Sequence, residues 1–300
     1  MPTFYQSIAA NKRQSFTIVI FFISFITLVA YFMVYAFELD PSIIPLALIF
    51  SGIGSFISYW FSDKIILAIS KARPATKEED YYFYSVAQNI SIATGIKPKL
   101  YVIEDTAPNA FATGRDKNHA VVCCTVGLLQ KLDRSELEAV VAHEFSHIKN
   151  YDMLLMSIVS ILVGLITLLA DLMLRSSFGR RNRKSSKDSG QISLLFTIVG
   201  LLLTLLSPII AQLIQLAISR RREYFADASA VAITRQPTAL ISALTKISSD
   251  KEPLEAANKA TAHLYIANPL KNHHDSIGWF AKLFNTHPPI KDRIQALSQI

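Results

Sequence analysis

Cysteine is close to absent from this chain, and what little there is narrows the chemistry. The 300 residues hold two cysteines, adjacent at Cys123 and Cys124. Two cannot build a disulfide framework or a cysteine-type zinc site, and within Val121-Val122-Cys123-Cys124-Thr125 the pair reads as strand residues. Internal repeats are missing, and so is any glycine-rich phosphate loop, which leaves repeat arrays and P-loop nucleotide chemistry without support. Charge is also missing over long stretches: Ser15 to Phe37 contains no Asp, Glu, Lys or Arg. Apolar residues make up 51% of the chain, and the mean hydropathy of +0.32 is high for a soluble enzyme. A net charge of +7 invites a nucleic-acid reading, but the basic residues gather beside apolar segments. There they read as membrane flanks, so the expected partner is a lipid bilayer and no nucleic acid.

Ser15 to Phe37 is long enough to span a bilayer, and too long for the apolar core of a cleaved signal peptide. An acidic turn, Glu38-Leu39-Asp40-Pro41, leads to a second span over Ser42 to Phe61, in which Gly52 and Gly54 are expected to allow close helix packing. Lys12 and Arg13 precede this hairpin and Lys64, Lys71 and Arg73 follow it, which places both ends in the cytoplasm. Two further apolar runs, Met153 to Leu174 and Ile192 to Ile218, flank a basic linker that carries Arg175, Arg180, Arg181, Arg183, Lys184 and Lys187. Pro208 predicts a kink, and Gln212 and Gln215 predict a face turned to protein or water. If both runs cross, the linker lies outside the cytoplasm, against the positive-inside bias. The runs are long enough that crossing is the expectation; a hairpin that does not cross fully is the alternative.

Between and after these runs the chain changes character. Tyr82 to Thr94 reads as a helix ended by Gly95 and Pro98, and Leu100 to Ile103 as a short strand. Asn109 to Gly114, a turn at Arg115 to Asn118 and a strand at His119 to Thr125 predict a β-hairpin. Its edge is either an ordinary edge or one that takes an extended peptide as an added strand. Helices are expected at Leu240 to Ile247 and Leu254 to Ala262, then a rigid turn at Thr286-His287-Pro288-Pro289 and a last helix, Ile290 to Leu297, carrying Arg293. His119, His263, His273 and His274 have no partner spacing and read as surface residues.

The chemistry concentrates in His143-Glu144-Phe145-Ser146-His147, within a run from Ser135 to Ile148 that is helical in pattern and opened by Asp133 and Glu136 at capping-box spacing. Residues four apart share a helix face, so both imidazoles can reach one metal ion. Glu144 then lies where it can hold a water that such an ion acidifies. A chance match on an amphipathic helix is the competing reading. Far downstream, Glu223 and Asp227 also stand four apart. A catalytic zinc needs three protein ligands and an open position, and His, His and Glu is an established set. Glu223 is the candidate third ligand; an acid paired with Arg220, Arg221 and Arg222 is the competing reading.

Taken together, these pieces resemble the HtpX family of membrane zinc metalloproteases, relatives of the type I CAAX prenyl proteases. The likeness covers nearly the whole chain. It rests on two spans, Asn109-Ala110-Phe111-Ala112-Thr113-Gly114, the His-Glu-x-x-His segment, two more apolar runs, Arg222-Glu223-Tyr224-Phe225-Ala226-Asp227, and Thr286-His287-Pro288-Pro289 with Arg293. The resemblance implies a mainly α integral membrane protein, with four apolar helices and a zincin-like α+β catalytic domain bearing a small β-hairpin or sheet. A membrane hairpin at 1–73 (spans at about 15–37 and 42–61) is followed by a first catalytic part at 74–152. A second hairpin at 153–218 (spans at about 153–174 and 192–218) precedes a second catalytic part at 219–300.

The resemblance further implies one zinc ion per chain on His143, His147 and Glu223, with Glu144 as general base. Asp227 would orient a ligand imidazole, Arg293 would pair with a carboxylate, and His287 would donate to the oxyanion. Asn109, Ala110, Phe111 and Ala112 would form the substrate-binding edge, with Asn109 holding substrate backbone. The implied substrates are misfolded membrane proteins or unfolded polypeptides, cut on the cytoplasmic side of a bacterial inner membrane in a quality-control and stress role. The basic linker is a candidate for self-cleavage. Processing of prenylated carboxyl termini, a non-catalytic zinc-binding scaffold and a small transporter are the alternatives. The spans are few for the CAAX type, and the repeat symmetry of transporters is missing.

Overall fold

The computed structural model describes residues 4–36, 40–159, 161–162, 198–199, 220–250, 252–255, 264–266 and 288–300. Two long helices come first, α1 (Phe4–Ala36) and α2 (Ile43–Trp60), packed against each other as a hairpin. Both are long and apolar enough to cross a membrane. A core helix of that composition would be covered by protein, whereas Phe16, Leu28, Phe50 and Phe56 here point outward. Gly52, expected to allow close packing, does not lie at the contact face of α2. Gly52 has nothing within 4 Å of where a Cβ would stand, while Ser51, Ser55 and Ser58 are buried. Spacings of four and three keep these serines on one stripe. The stripe is small, and the hydroxyls of Ser51 and Ser58 bond back to the carbonyls of Leu48 and Gly54 within the helix.

A short helix α3 (Ser62–Ile69) and the two-residue strand β1 (Arg73–Pro74) lead into α4 (Tyr81–Thr94), which Gly95 ends with a left-handed φ of 72°. Then come β2 (Lys99–Ile103), β3 (Ala110–Thr113) and β4 (Val121–Thr125). The hairpin predicted over Asn109 to Thr125 forms, with β3 antiparallel to β4 and Phe111 opposite Cys123. His119 belongs to a 3-10 turn at Lys117–His119 rather than to the strand. The hairpin is half of a larger object, a four-stranded sheet of order β1-β2-β4-β3 in which β2 runs parallel to β4. Its two faces meet different cores, and residues alternate between them as strand geometry requires. Val102, Ala110, Ala112, Val122 and Cys124 pack under the helices that cover one face. Ile103, Phe111 and Cys123 pack with Ile66, Leu155 and Tyr265 on the other side. Burial on both faces explains the unbroken apolar run of β4. Burial also pushes both thiols up, and the nearby Glu144 charge adds to the effect at each, so both cysteines are inert packing residues.

After α5 (Val126–Lys131) the chain enters α6 (Arg134–Asn150), which with α4 and α8 (Pro237–Ser249) covers one face of the sheet. Gly127 stands where a Cβ would meet the Thr106 carbonyl oxygen at 1.8 Å, so the turn from β4 into α5 admits no side chain. Helix α7 (Arg220–Thr234) lies across α6, and α9 (Ile290–Leu297) closes the corner against α7 and α8. Of the third apolar run, 152–159 is helical; Leu154, Ile158 and Leu162 pack with Val199 and Phe22, against α1. The remainder of the third and fourth runs, the basic linker and the helix expected to Ala262 lie outside the described residues. Leu254 and Glu255, which are described, are not helical.

Candidate metal centre

Helix α6 is fixed at both ends. Asp133 Oδ1 accepts from the Glu136 N–H and Glu136 Oε2 accepts from the Asp133 N–H, each at 2.9 Å, which completes the capping box. Glu136 also takes the Ser242 hydroxyl and the Lys246 ammonium, tying the helix start to α8. At the far end Tyr151 turns the backbone left-handed, with φ 60°. Between these ends His143, Glu144 and His147 are all buried. Ala226 and Ala230, fully buried on α7, let that helix approach closely and bring Glu223 and Asp227 onto the two histidines.

The ligand atoms converge. His143 Nε2 and His147 Nε2 are 3.2 Å apart, and the Glu223 carboxylate lies 3.7 Å from the first and 3.5 Å from the second. Tetrahedral zinc ligands at ordinary bond lengths stand roughly 3.3 Å from one another, so this donor set is spaced for such an ion. On the opposite side of each ring a carboxylate faces Nδ1. Asp227 Oδ1 is 2.9 Å from His143 Nδ1, an ion-pair contact although the ring N–H is not aimed along that line. Asp152 Oδ2 is 3.3 Å from His147 Nδ1. Both rings are therefore biased toward Nδ1–H, which turns two Nε2 lone pairs toward each other. Charge agrees with that geometry. Four buried carboxylates, Glu144, Asp152, Glu223 and Asp227, gather here, with Arg222 in ion-pair range of Asp152 and Arg293 in ion-pair range of Glu223 and Asp227, and so dense a negative cluster suits a divalent cation.

Without an ion, a proton takes that place. Burial pushes the His147 imidazolium down, but the Asp152 hydrogen bond and the charges of Glu223, Asp152 and Glu144 outweigh it and hold the pKa up at about 9. The stabilisation this gives the metal-free fold is complete below pH 6.5, the ordinary value, and is lost as the pH rises through about 9. Metal must displace the same proton, so apparent zinc affinity is expected to rise about tenfold per pH unit up to pH 9. Competition with a chromophoric chelator at pH 6.5, 7.5 and 8.5 measures it; a flat profile would contradict the proton held at His147. Asp227 shows the reverse behaviour. Burial pushes its carboxyl up, but the Arg293 guanidinium and His143 together bring it down to about 2. Arg293 is fully buried and forks onto it, Nε to Oδ2 at 2.8 Å and Nη2 to Oδ1 at 2.6 Å.

Residues 80–300 match the family Peptidase family M48. The chain belongs to that family. It is 47% identical over 297 residues to the Protease HtpX homolog of Dictyoglomus thermophilum, covering 98% of this chain and 94% of the relative. The Protease HtpX homolog of Thermoanaerobacter pseudethanolicus is 44% identical over 302 residues, covering 99% and 98%. Among solved structures, the crystal structure of S. mikatae Ste24p overlaps loosely, with a TM-score of 0.49 and 18% identity over 98% of this chain and 67% of that one. The resemblance read from the motifs is borne out, and this M48 peptidase is a metalloprotease with two helices of membrane-spanning length.

Other residues of the M48 peptidase that the sequence singled out are placed as follows. All four residues of β3 are buried, so the edge is not bare. The Ala110 carbonyl accepts from the Ile266 N–H at 3.0 Å, and the Phe111 ring meets Tyr265 edge to face at 5.2 Å. Asn109 is occupied locally: its N–H donates to Thr125 Oγ1 and its Oδ1 accepts from the Ala110 N–H. Ala112 follows on the same face as Ala110. His287 lies outside the described residues. Arg293 Nη1 also donates to the Ile266 carbonyl, so one backbone unit joins the carboxylate corner to β3. Sequence reasoning missed Asp152 and Arg222. The one available signal was a lone acid at the point where the metal helix ends and an apolar run begins.

Proposed function

We propose that this M48 peptidase is a zinc endopeptidase that cuts membrane proteins and unfolded polypeptides at the cytoplasmic surface of a bacterial inner membrane, in the service of membrane-protein quality control. The supporting observation is the convergence of two imidazoles and a carboxylate, all within 4.8 Å, with Glu144 beside them. His143, His147 and Glu223 hold the ion. When bound, zinc supplies a Lewis acid that polarises the scissile carbonyl and acidifies water. Glu144 takes the proton of the attacking water on its carboxylate and delivers it to the leaving amine, without a covalent enzyme intermediate. Asp227 holds the Nδ1 proton of His143, and Arg293 keeps Asp227 ionised. The substrate is received as an added strand along the β3 edge beyond Ala110, whose carbonyl is already taken by the Ile266 N–H, with His287 at the oxyanion.

Membrane substrates are favoured by position. The Arg222 guanidinium, next to Glu223, bonds the Gln14 side chain just where the first span begins, so the ligand helix starts level with the membrane surface. Protein stripped with a chelator in detergent is expected to lose all cleavage of casein and to recover it with one equivalent of zinc. Zinc binding with no cleavage of casein or of a membrane-protein substrate would favour the scaffold alternative, and no zinc binding would overturn the reading.

A further inference from the structure

Asp227 is the orienting carboxylate a zinc-peptidase motif leads one to look for; Asp152 is not, because it follows His147 by five residues. On an unbroken helix that offset places two side chains roughly 140° apart around the axis, out of reach of each other. They meet here because Tyr151 adopts φ 60° and ψ 21°, a conformation rare for a bulky residue. Its own N–H still closes onto the His147 and Ile148 carbonyls. The chain thus stops turning in α6 and folds Asp152 back under the His147 ring. Lys117 Nζ sits 5.7 Å from the centre of the Tyr151 ring, a cation–π contact across this turn from the β3–β4 connection. Strained backbone at a functional site is a reason to ask what the strain achieves.

We propose that Asp152 is the positioning residue of His147, held by Arg222, so that each ligand histidine has its own aspartate and arginine: His143 with Asp227 and Arg293, His147 with Asp152 and Arg222. The two sets differ in where they end. Arg293 is sealed inside the catalytic layer, whereas Arg222, with Nε 3.7 Å from Asp152 Oδ1, reaches out to Gln14 on α1. One ligand is therefore braced by the soluble core and the other by the first membrane helix. Asp152 fixes the Nδ1–H tautomer and the ring orientation of His147, leaving Nε2 directed at the ion. The Asp152 side chain is 4% exposed, so little water competes for that contact.

This rests on the zinc reading above, and the test separates the two. Full-length wild type, Asp152→Ala, Asp152→Asn and His147→Ala are purified in detergent, and zinc affinity is measured by chelator competition beside the visible spectrum of the cobalt-loaded forms. Asp152→Ala is expected to weaken zinc about 10–100-fold and to shift the cobalt bands. Asp152→Asn, which keeps an acceptor oxygen and the volume, should fall between it and wild type. It also serves if the alanine variant does not fold. A merely structural role would lower the melting temperature of the metal-free protein and leave the cobalt spectrum of the folded fraction unchanged; that result overturns the proposal. So does wild-type zinc affinity in both Asp152 variants while His147→Ala has lost it. Wild-type affinity in His147→Ala would instead overturn the site itself, and the proposal with it.

Discussion

Replacing Glu144 by glutamine is expected to leave one zinc ion per chain in place and to reduce peptide hydrolysis by about 10²–10⁴-fold, the usual worth of a positioned proton acceptor. The expectation follows from what the substitution changes. Glutamine has the same shape and fits the same buried site on α6, between ligands that it does not replace. It retains an oxygen that can hold water but has no basic carboxylate to take the proton. His143→Ala makes the complementary case, because it removes a ligand and should lose metal and activity together. Zinc content by elemental analysis and casein cleavage, measured on the same preparations, distinguish the two. Turnover by the glutamine variant within a few-fold of wild type, with zinc bound, would remove Glu144 from the mechanism.

How much of this site could be read from the chain depended on how local each relation is. His143, Glu144 and His147 lie within five residues on one helix, and Asp133 with Glu136 marks where that helix starts; geometry and capping follow from spacing alone. Helix α9 from Ile290 to Leu297 was equally legible, because Pro288 and Pro289 bar a helix before it. Glu223 is a different case. Its neighbours Arg220, Arg221 and Arg222 offered it an ordinary ion pair, and only the packing of α7 across α6 through Ala226 and Ala230 brings it to the histidines. Asp152 was invisible because its role hangs on a single left-handed residue, and tyrosine gives no signal for that conformation. Strand β1 escaped notice for a related reason. Arg73-Pro74 looks like linker, and the strand exists because it pairs with Tyr101 and Val102, while the Arg73 side chain is held by Asp80 and Glu104. The parallel pairing of β2 with β4 is likewise a long-range fact that no strand pattern encodes.

The second large effect is expected at Arg293, where stability and metal binding should fall together. Its guanidinium is fully buried, doubly bonded to Asp227, 3.7 Å from Glu223 Oε2 and bonded to the Ile266 carbonyl. Arg293→Met keeps most of the volume and removes the charge, leaving Asp227 to face burial alone. Breaking one side of such a pair typically costs about 3–5 kcal/mol. With the guanidinium gone, the influence that holds the Asp227 carboxyl near 2 is lost and burial drives it upward, so it tends to protonate. A protonated Asp227 no longer fixes the Nδ1–H of His143, and zinc should weaken even in the fraction that remains folded. Arg293→Lys should not restore either property, because one ammonium cannot reproduce a fork onto two carboxylate oxygens. Arg293→Met combined with Asp227→Asn separates the two effects. Removing both charges should recover much of the melting temperature of the metal-free protein, since no buried carboxylate is then left unanswered at that position. Zinc affinity should stay low, because the asparagine carries no charge with which to hold the imidazole. If the double variant regained stability and affinity together, Arg293 and Asp227 would be packing for the corner rather than support for the ligand; if it regained neither, the guanidinium would owe its importance to Glu223 and to the Ile266 carbonyl.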